Sequence, residues 1–160
     1  MNLYLVRHAD AEKTQPGKRD HERKLTIEGR KSIEYASDRW KHFINHLDHI
    51  CTSPYTRAVE TAEIIAEAFE YNSEIIKDKV LSAGSNTKDL VELVNALEGN
   101  DILIVGHQPD LSQHLSNLIS SRSASIEFRK TALAKISFNG KASFSRGYLE
   151  YLIPAEVFSK

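Results

Sequence analysis

Only one cysteine, Cys51, stands in 160 residues. A lone thiol excludes an intramolecular disulfide and a zinc–cysteine cluster, and it suits a reducing cytosol. Long hydrophobic runs are missing too, since no apolar stretch approaches the roughly 20 residues that span a bilayer. The first such stretch, Asn2–Val6, is cut by Arg7-His8 after five residues, too short for the apolar region of a secretory signal. An excess of charge of one sign is also absent. The 21 basic and 22 acidic residues leave a formal net charge of −1. That balance argues against nucleic acid or a membrane as a bulk partner, while permitting a local basic pocket. No repeat, low-complexity tract or linker interrupts the chain, so one domain spanning 1–160 is expected, with a cytoplasmic location. No heptad or long apolar stripe calls for a partner copy, and a monomer is the default expectation.

What is present describes an ordinary globular core. The chain is 41% hydrophobic, and one of this length buries roughly 68–70% of its unfolded surface. Asn2–Val6 reads as a strand buried on both faces. The polar stretch TQPGKRDHERK reads as a surface loop, after which Thr26 caps a helix with Ile33, Ala36, Trp40 and Phe43 or Ile44 at helical spacing. LDHICTS is a second strand, and TRAVETAEIIAEAF a second helix. SEIIKDKVL reads as a short edge strand, KDLVELVNALEG as a third helix, DILIVG as the clearest strand and DLSQHLSNLIS as a fourth helix. ALAKISF and SFSRGYLEYLI suggest a closing β-pair turning at Asn139-Gly140. The alternation predicts an α/β three-layer sandwich, with a mostly parallel central sheet flanked by helices.

Ligands of open α/β sheets bind beyond the carboxyl ends of the strands. Here the first strand ends in Arg7-His8, the second in Ser53-Pro54 with Arg57 about a turn later, and DILIV in Gly106-His107. Arg57 and the backbone after His107 also lie at helix N-termini, where free N–H groups favour an anion. Together these describe a pocket for a phosphoryl group. A histidine between Arg7 and Arg57 has its charged form disfavoured and is expected to be neutral near pH 7. A neutral imidazole can attack phosphorus, and the arginines offset charge on the equatorial oxygens. His8 is the expected nucleophile and His107 a hydrogen-bonding partner of the phosphoryl oxygens. No metal and no cofactor are required.

As a set, Arg7-His8, SPYTRAVETA with Arg57, and Gly106-His107 resemble the histidine phosphatase superfamily, also known for its phosphoglycerate-mutase-like fold. The short length, RHADAE, the D-x-x-R-x-LT-x-x-G run (Asp20, Arg23, Leu25, Thr26, Gly29) and SPYTRAVET are similar to its SixA-type phosphohistidine phosphatases. The resemblance implies a covalent phosphohistidine at His8, a phosphate pocket of Arg7, Arg57 and His107, and a loop arginine, Arg23, within reach of the same phosphate. Ala9 replaces the glycine of the family's usual RHG. Mutase-type members carry a glutamate general acid where this chain reads LSAGSN, with no carboxylate. An alkoxide leaving group needs a proton, whereas imidazole, with a conjugate-acid pKa of about 6.5, departs more easily. The missing acid therefore favours phosphohistidine. Only 50 positions separate Arg57 from His107, which leaves little room for a lid and lets a protein surface approach.

The expected substrate is a phosphorylated protein such as a histidine phosphotransfer domain or a phosphocarrier, with water taking the phosphate in the second step. The alternatives are a small-molecule phosphomonoesterase on the same scaffold and a non-catalytic phospho-binding module. Ser53 could bond into the pocket or merely end its strand. Asp20 and Glu22 are solvated loop charges and the nearest proton-transfer candidates, while Asp10 and Glu12 read as structural or exposed. His42 and His46 stand at i, i+4, a spacing that can hold zinc, but no HExxH glutamate accompanies them, and an exposed polar patch is the simpler reading.

Overall fold

The computed structural model describes residues 1–158. Among them, six strands form one sheet: β1 (Asn2–Arg7), β2 (His49–Thr52), β3 (Ile76–Lys77), β4 (Asp101–Gly106), β5 (Leu133–Ser137) and β6 (Tyr148–Ile153). The helices are α1 (Ile27–Trp40), α2 (Thr56–Ala68), α3 (Thr87–Ala96) and α4 (Asp110–Ile119). The sheet order is β3-β2-β4-β1-β5-β6. Neighbours among β3, β2, β4 and β1 run parallel, and β5 and β6 extend the sheet antiparallel.

Side-chain alternation along the central strands divides the core in two. Leu3 and Leu5 of β1, with Ile102 and Ile104 of β4, pack against Leu90, Val94, Leu111 and Leu115 of α3 and α4. Tyr4, Val6, Leu103 and Val105 face the other way, onto Ile33 and Trp40 of α1 and Ala62 and Ile65 of α2. Helices on both faces make the expected three-layer sandwich, and burial on both faces explains why these strands read as unbroken apolar runs. The Trp40 ring is fully buried, so truncating it to alanine costs about 3–5 kcal/mol. No helix among the described residues is long and apolar enough to cross a membrane.

Four elements differ from the sequence expectation, the simplest being α3, which ends at Ala96 with Leu97 already extended rather than running on to Gly99. Helix α1 stops at Trp40, though the following turn keeps one helical bond, Ile44 N–H to Trp40 O at 2.8 Å, and still buries Ile44. The edge strand within Ser73–Leu81 shrinks to Ile76–Lys77, because the Asp78 side chain accepts from Val80 N–H and starts a 3-10 turn over Lys79–Leu81. The closing β-pair is real, but Asn139-Gly140 does not join its strands directly. Residues 138–147 instead cross the ends of two helices: Asn95 of α3 bonds both backbone groups of Ala142, and Ser145 and Gly147 bond the carbonyls of Asn117 and Leu118 in α4.

Strand β4 lies between β1 and β2, so three carboxyl ends become neighbours. His8 N–H donates to Gly106 O and Ser53 N–H to Val105 O, both at 3.2 Å. Just beyond, Thr26 caps α1 by accepting from Gly29 N–H at 2.9 Å. Gly29 is required by a close approach, since a Cβ there would sit 2.1 Å from the Asp10 carbonyl oxygen.

Candidate active site

At these strand ends Arg7, His8, Arg23, Arg57, His107 and Lys130 line a cleft of about 190 Å³. A larger hollow, about 380 Å³, lies among Asn45–Asp48 and Phe69–Ser73. It carries no lysine or arginine and sits at the amino end of β2, the wrong end of a parallel sheet for an anion.

His8 is 8% exposed, and both of its ring nitrogens are engaged. Nδ1 lies 2.7 Å from the carbonyl oxygen of Ala9, which can only accept, so Nδ1 carries the proton. Arg57 Nε–H donates to Nε2 at 3.1 Å, so Nε2 carries the lone pair. The Ala9 backbone is itself held, its N–H donating to Thr61 Oγ1 at 3.2 Å while that hydroxyl donates to Arg57 O at 2.7 Å. Burial lowers the His8 pKa to about 4, with Arg57, Arg7 and Lys130 adding to it and the Ala9 hydrogen bond opposing. The ring is neutral at neutral pH, although burial outranks the arginines as the cause.

Arg57, in the first turn of α2, is 4% exposed. Besides His8, its guanidinium donates to Asp20 O at 2.8 Å and Asp20 Oδ2 at 3.0 Å, and approaches His107 Nδ1 at 3.5 Å. Arg7 ends β1, donates through Nη1 to Phe128 O at 2.9 Å, and keeps a buried Nε–H with no partner among the described residues. Burial lowers the pKa of both arginines from its ordinary value.

His107 Nε2 lies 2.8 Å from Ser53 Oγ, and burial, followed by the charge on His8, lowers its pKa to about 3. Ser53 Oγ also accepts from Tyr55 N–H at 3.2 Å, so Ser53 does more than end its strand. Arg23 is tied to Asp20 Oδ1 and, at 2.7 Å, to Glu12 O. Burial works against the Asp20 carboxylate, but hydrogen bonds from Arg23 and Arg57 outweigh it and hold the group below its usual range. Asp20 is thus ionised at neutral pH and ill suited to donate a proton. Glu22 bonds Arg19 N–H within its own turn. Asp10 braces α1 through Thr26, and Glu12 pairs with Lys18.

His42 and His46 both lie past the end of α1, so they share no helical face, and His46 contacts Asp48 at 2.9 Å. Among the described residues no group of three or more His, Cys, Asp or Glu side chains is arranged to hold a metal ion. Sequence reasoning missed two contributors. The Tyr55 ring packs 4.9 Å from that of His107 and 5.0 Å from the Arg57 guanidinium carbon. Lys130 reaches the cleft from the irregular segment before β5, where no periodicity or motif marks it. The SPYTR context was the available signal for Tyr55.

The arrangement offers a neutral imidazole with a directed lone pair inside a ring of cations, which suits nucleophilic attack on a phosphoryl group. The chain is 29% identical over 154 residues to a phosphohistidine phosphatase SixA homolog from Haemophilus influenzae, covering 89% of this chain and 92% of that one. Its fold is shared with a protein histidine phosphatase SixA solved with tungstate (TM-score 0.86, 18% identity, 97% of each chain). It is shared as well with a phosphoserine phosphatase from Entamoeba histolytica (TM-score 0.74, 16% identity, 97% of this chain and 98% of that one). A model of the Histidine phosphatase superfamily (branch 1) matches residues 3–82, half of the chain, and to that superfamily the chain belongs.

Proposed function

We propose that the protein is a metal-independent phosphatase that removes phosphoryl groups from protein phosphohistidine through a phosphohistidine intermediate at His8 Nε2. The observation that carries this is the single neutral tautomer of His8, with Nδ1–H on the Ala9 carbonyl and the Nε2 lone pair turned to the cationic cleft.

In the first step Nε2 attacks phosphorus, and the bond to the substrate nitrogen breaks with its electron pair going to that nitrogen. A substrate ring already protonated on its other nitrogen leaves as neutral imidazole and needs no proton from the enzyme. Arg7 and Arg57 offset the charge on the transferring group, as guanidinium clamps do elsewhere. His107 adds a hydrogen bond, and Arg23 closes from the loop. In the second step water attacks phospho-His8, its protons leave with the phosphate, and the electron pair of the broken bond returns to Nε2. Nδ1–H stays on the Ala9 carbonyl throughout, so the intermediate is a cationic imidazolium that leaves readily. The wall of the cleft formed by the Leu81–Asn86 turn presents Ala83, with no carboxylate, which supports a leaving group that needs no acid. The names of the SixA relatives point the same way.

A second reading, a small-molecule phosphomonoesterase, draws support from the phosphoserine phosphatase of the same fold. The test is a covalent trap: protein and a phosphohistidine-bearing carrier domain are mixed in EDTA, quenched in alkali and mapped by mass spectrometry beside His8→Ala. Label on His8 with phosphate release, both absent from the variant, is expected. Full release by His8→Ala sinks the mechanism. Sugar or nucleotide phosphates turned over far faster than the carrier favour the second reading, and binding without release points to a recognition module.

A further inference from the structure

The cations of the cleft stand in two tiers. Arg57 is buried and Arg7 partly buried, each ending or following a strand of the sheet, whereas Arg23 and Lys130 reach the cleft from loops, Lys130 with its side chain half exposed. Each rim cation has its own carboxylate: Arg23 pairs with Asp20, and Lys130 with Asp10.

Lys130 is brought there by the backbone that orients Arg7. Arg7 Nη1–H donates to Phe128 O at 2.9 Å, Thr131 N–H donates to Arg7 O at 3.1 Å, and Arg7 N–H donates to Ala132 O at 3.2 Å. Phe128, 1% exposed, anchors the segment in the core beneath α4. Lys130 is therefore on a fixed stretch of chain with only its side chain free. Its charge reaches His8, where it joins Arg57 and Arg7 in opposing the imidazolium.

We propose that Lys130 is a further substrate-binding residue, whose ammonium leaves Asp10 for the phosphoryl group when a dianion enters the cleft. Asp10 is the counter-ion that holds Lys130 at the rim of the cleft. Both partners are about half exposed, Lys130 at 49% and Asp10 at 44%, and an ion pair that open to water is weak. A lysine stem can swing without moving its backbone, and the ammonium is strongly drawn to a dianion. Asp10 does not follow, because its Oδ2 accepts from Thr26 Oγ1–H at 3.0 Å and its carbonyl accepts from Thr26 N–H at 3.0 Å. Among exposed rim charges, then, one partner is free to exchange and the other is pinned. This inference rests on the cleft being the phosphoryl site proposed above.

The test is calorimetric titration with inorganic phosphate at low and moderate salt. Wild type, Lys130→Ala, Lys130→Gln and Asp10→Asn are compared, with melting temperatures and carrier-protein turnover alongside. Both Lys130 variants are expected to weaken phosphate about three- to fivefold and to flatten its salt dependence. Asp10→Asn keeps an oxygen for Thr26 but removes the competing charge, and it is expected to tighten phosphate about twofold. Opposite signs are the signature of exchange. Lys130 variants that bind like wild type overturn the proposal. So does weakening in all three variants in step with a lower melting temperature, which is what a purely bracing ion pair gives. A wild type that binds phosphate but turns nothing over defeats the phosphatase reading and leaves the Lys130 comparison intact, whereas one that turns over the carrier but binds no phosphate overturns the Lys130 proposal and leaves that reading standing.

Discussion

Arg57 Nε–H meets Nε2 of His8 at 3.1 Å, the same nitrogen that the proposed mechanism brings to phosphorus. The cleft thus holds the proposed nucleophile with a donor that an incoming phosphoryl group would displace or share. The guanidinium serves this double role because two of its remaining N–H groups already point at oxygens, the carbonyl and carboxylate of Asp20. A phosphoryl group offers oxygens of the same kind, with more charge.

Arg57→Lys is expected to behave nearly as badly as Arg57→Ala. An ammonium cannot touch His8, the cleft and the Asp20 loop at once, because only the planar fork presents several donors in fixed directions. Loss of one such stabilising group costs about 10²–10³ in kcat. Steady-state kinetics on a phosphohistidine carrier would measure it. A lysine variant within tenfold of wild type would mean that charge alone suffices and the fork is incidental.

Ser53→Ala tests whether His107 changes its proton position during binding. Arg57 donates toward His107 Nδ1, so the neutral ring carries its proton on Nε2 and donates it to Ser53 Oγ. To donate to a phosphoryl oxygen from Nδ1 the ring must move that proton, and a hydroxyl can reverse its role from acceptor to donor to permit it. Alanine cannot, and it also strands the Tyr55 N–H that Ser53 accepts. The expected cost is about 1–3 kcal/mol of stability, with a fall in kcat/KM of about tenfold. Unfolding and kinetics measured on the same variant separate the two losses, and unchanged kcat/KM would leave Ser53 purely structural.

Acid should destabilise the fold well before its carboxylates titrate. His8, His107 and His114 have folded-state pKa values lowered to about 4, 3 and 4, burial being the first cause for each. In the unfolded chain each ring takes up a proton near pH 6.5. Between those limits the unfolded state binds more protons, so stability falls as pH drops from about 6.5 toward 4, by up to about 1.4 kcal/mol per pH unit per ring. The lowered pKa values of Asp10, Asp20 and Asp48 act in the same direction but further down, their contribution being lost as pH falls below about 4. Urea unfolding at pH 7.5 and pH 5 measures the drop. His114→Gln, which changes a ring that does not line the cleft and is bonded to Ser85 and Thr87, should remove one ring's share of the slope. Equal stability at the two pH values would refute the buried neutral rings.

The cleft was legible in the sequence where a parallel strand ends in a chemically distinctive residue. Arg7, His8, Ser53 and His107 follow short apolar runs, and Arg57 follows a strand by a fixed turn, so the strand-end rule gathers them without any coordinates. The direction of the His8 shift was legible too, but not its leading cause, because burial depends on how the loops close over the strand ends. Lys130 was hidden because it enters through hydrogen bonds between Arg7 and residues more than 120 positions away. Long-range backbone pairing of an irregular segment leaves no period to read. The same limit applies to residues 138–147, where an Asn-Gly pair suggested a tight hairpin and bonds to α3 and α4 drew the chain into a wider crossing.

Gly29→Ala sets two known effects against each other. Alanine in place of glycine inside a helix is worth about 1 kcal/mol of stabilisation on propensity alone. At this position, however, the added Cβ would lie 2.1 Å from the Asp10 carbonyl oxygen and 3.0 Å from its carbon and nitrogen, so backbone must move. Overpacking of this kind costs about 1–3 kcal/mol, and it should outweigh the propensity gain. The displaced segment follows His8 directly and carries the Asp10 carboxylate that pairs with Lys130. The variant is therefore expected to melt below wild type and to bind inorganic phosphate with altered affinity. A Gly29→Ala protein that melts above wild type would mean that the Asp10 backbone gives way freely, and that the first turn of α1 does not set the position of the loop beside His8.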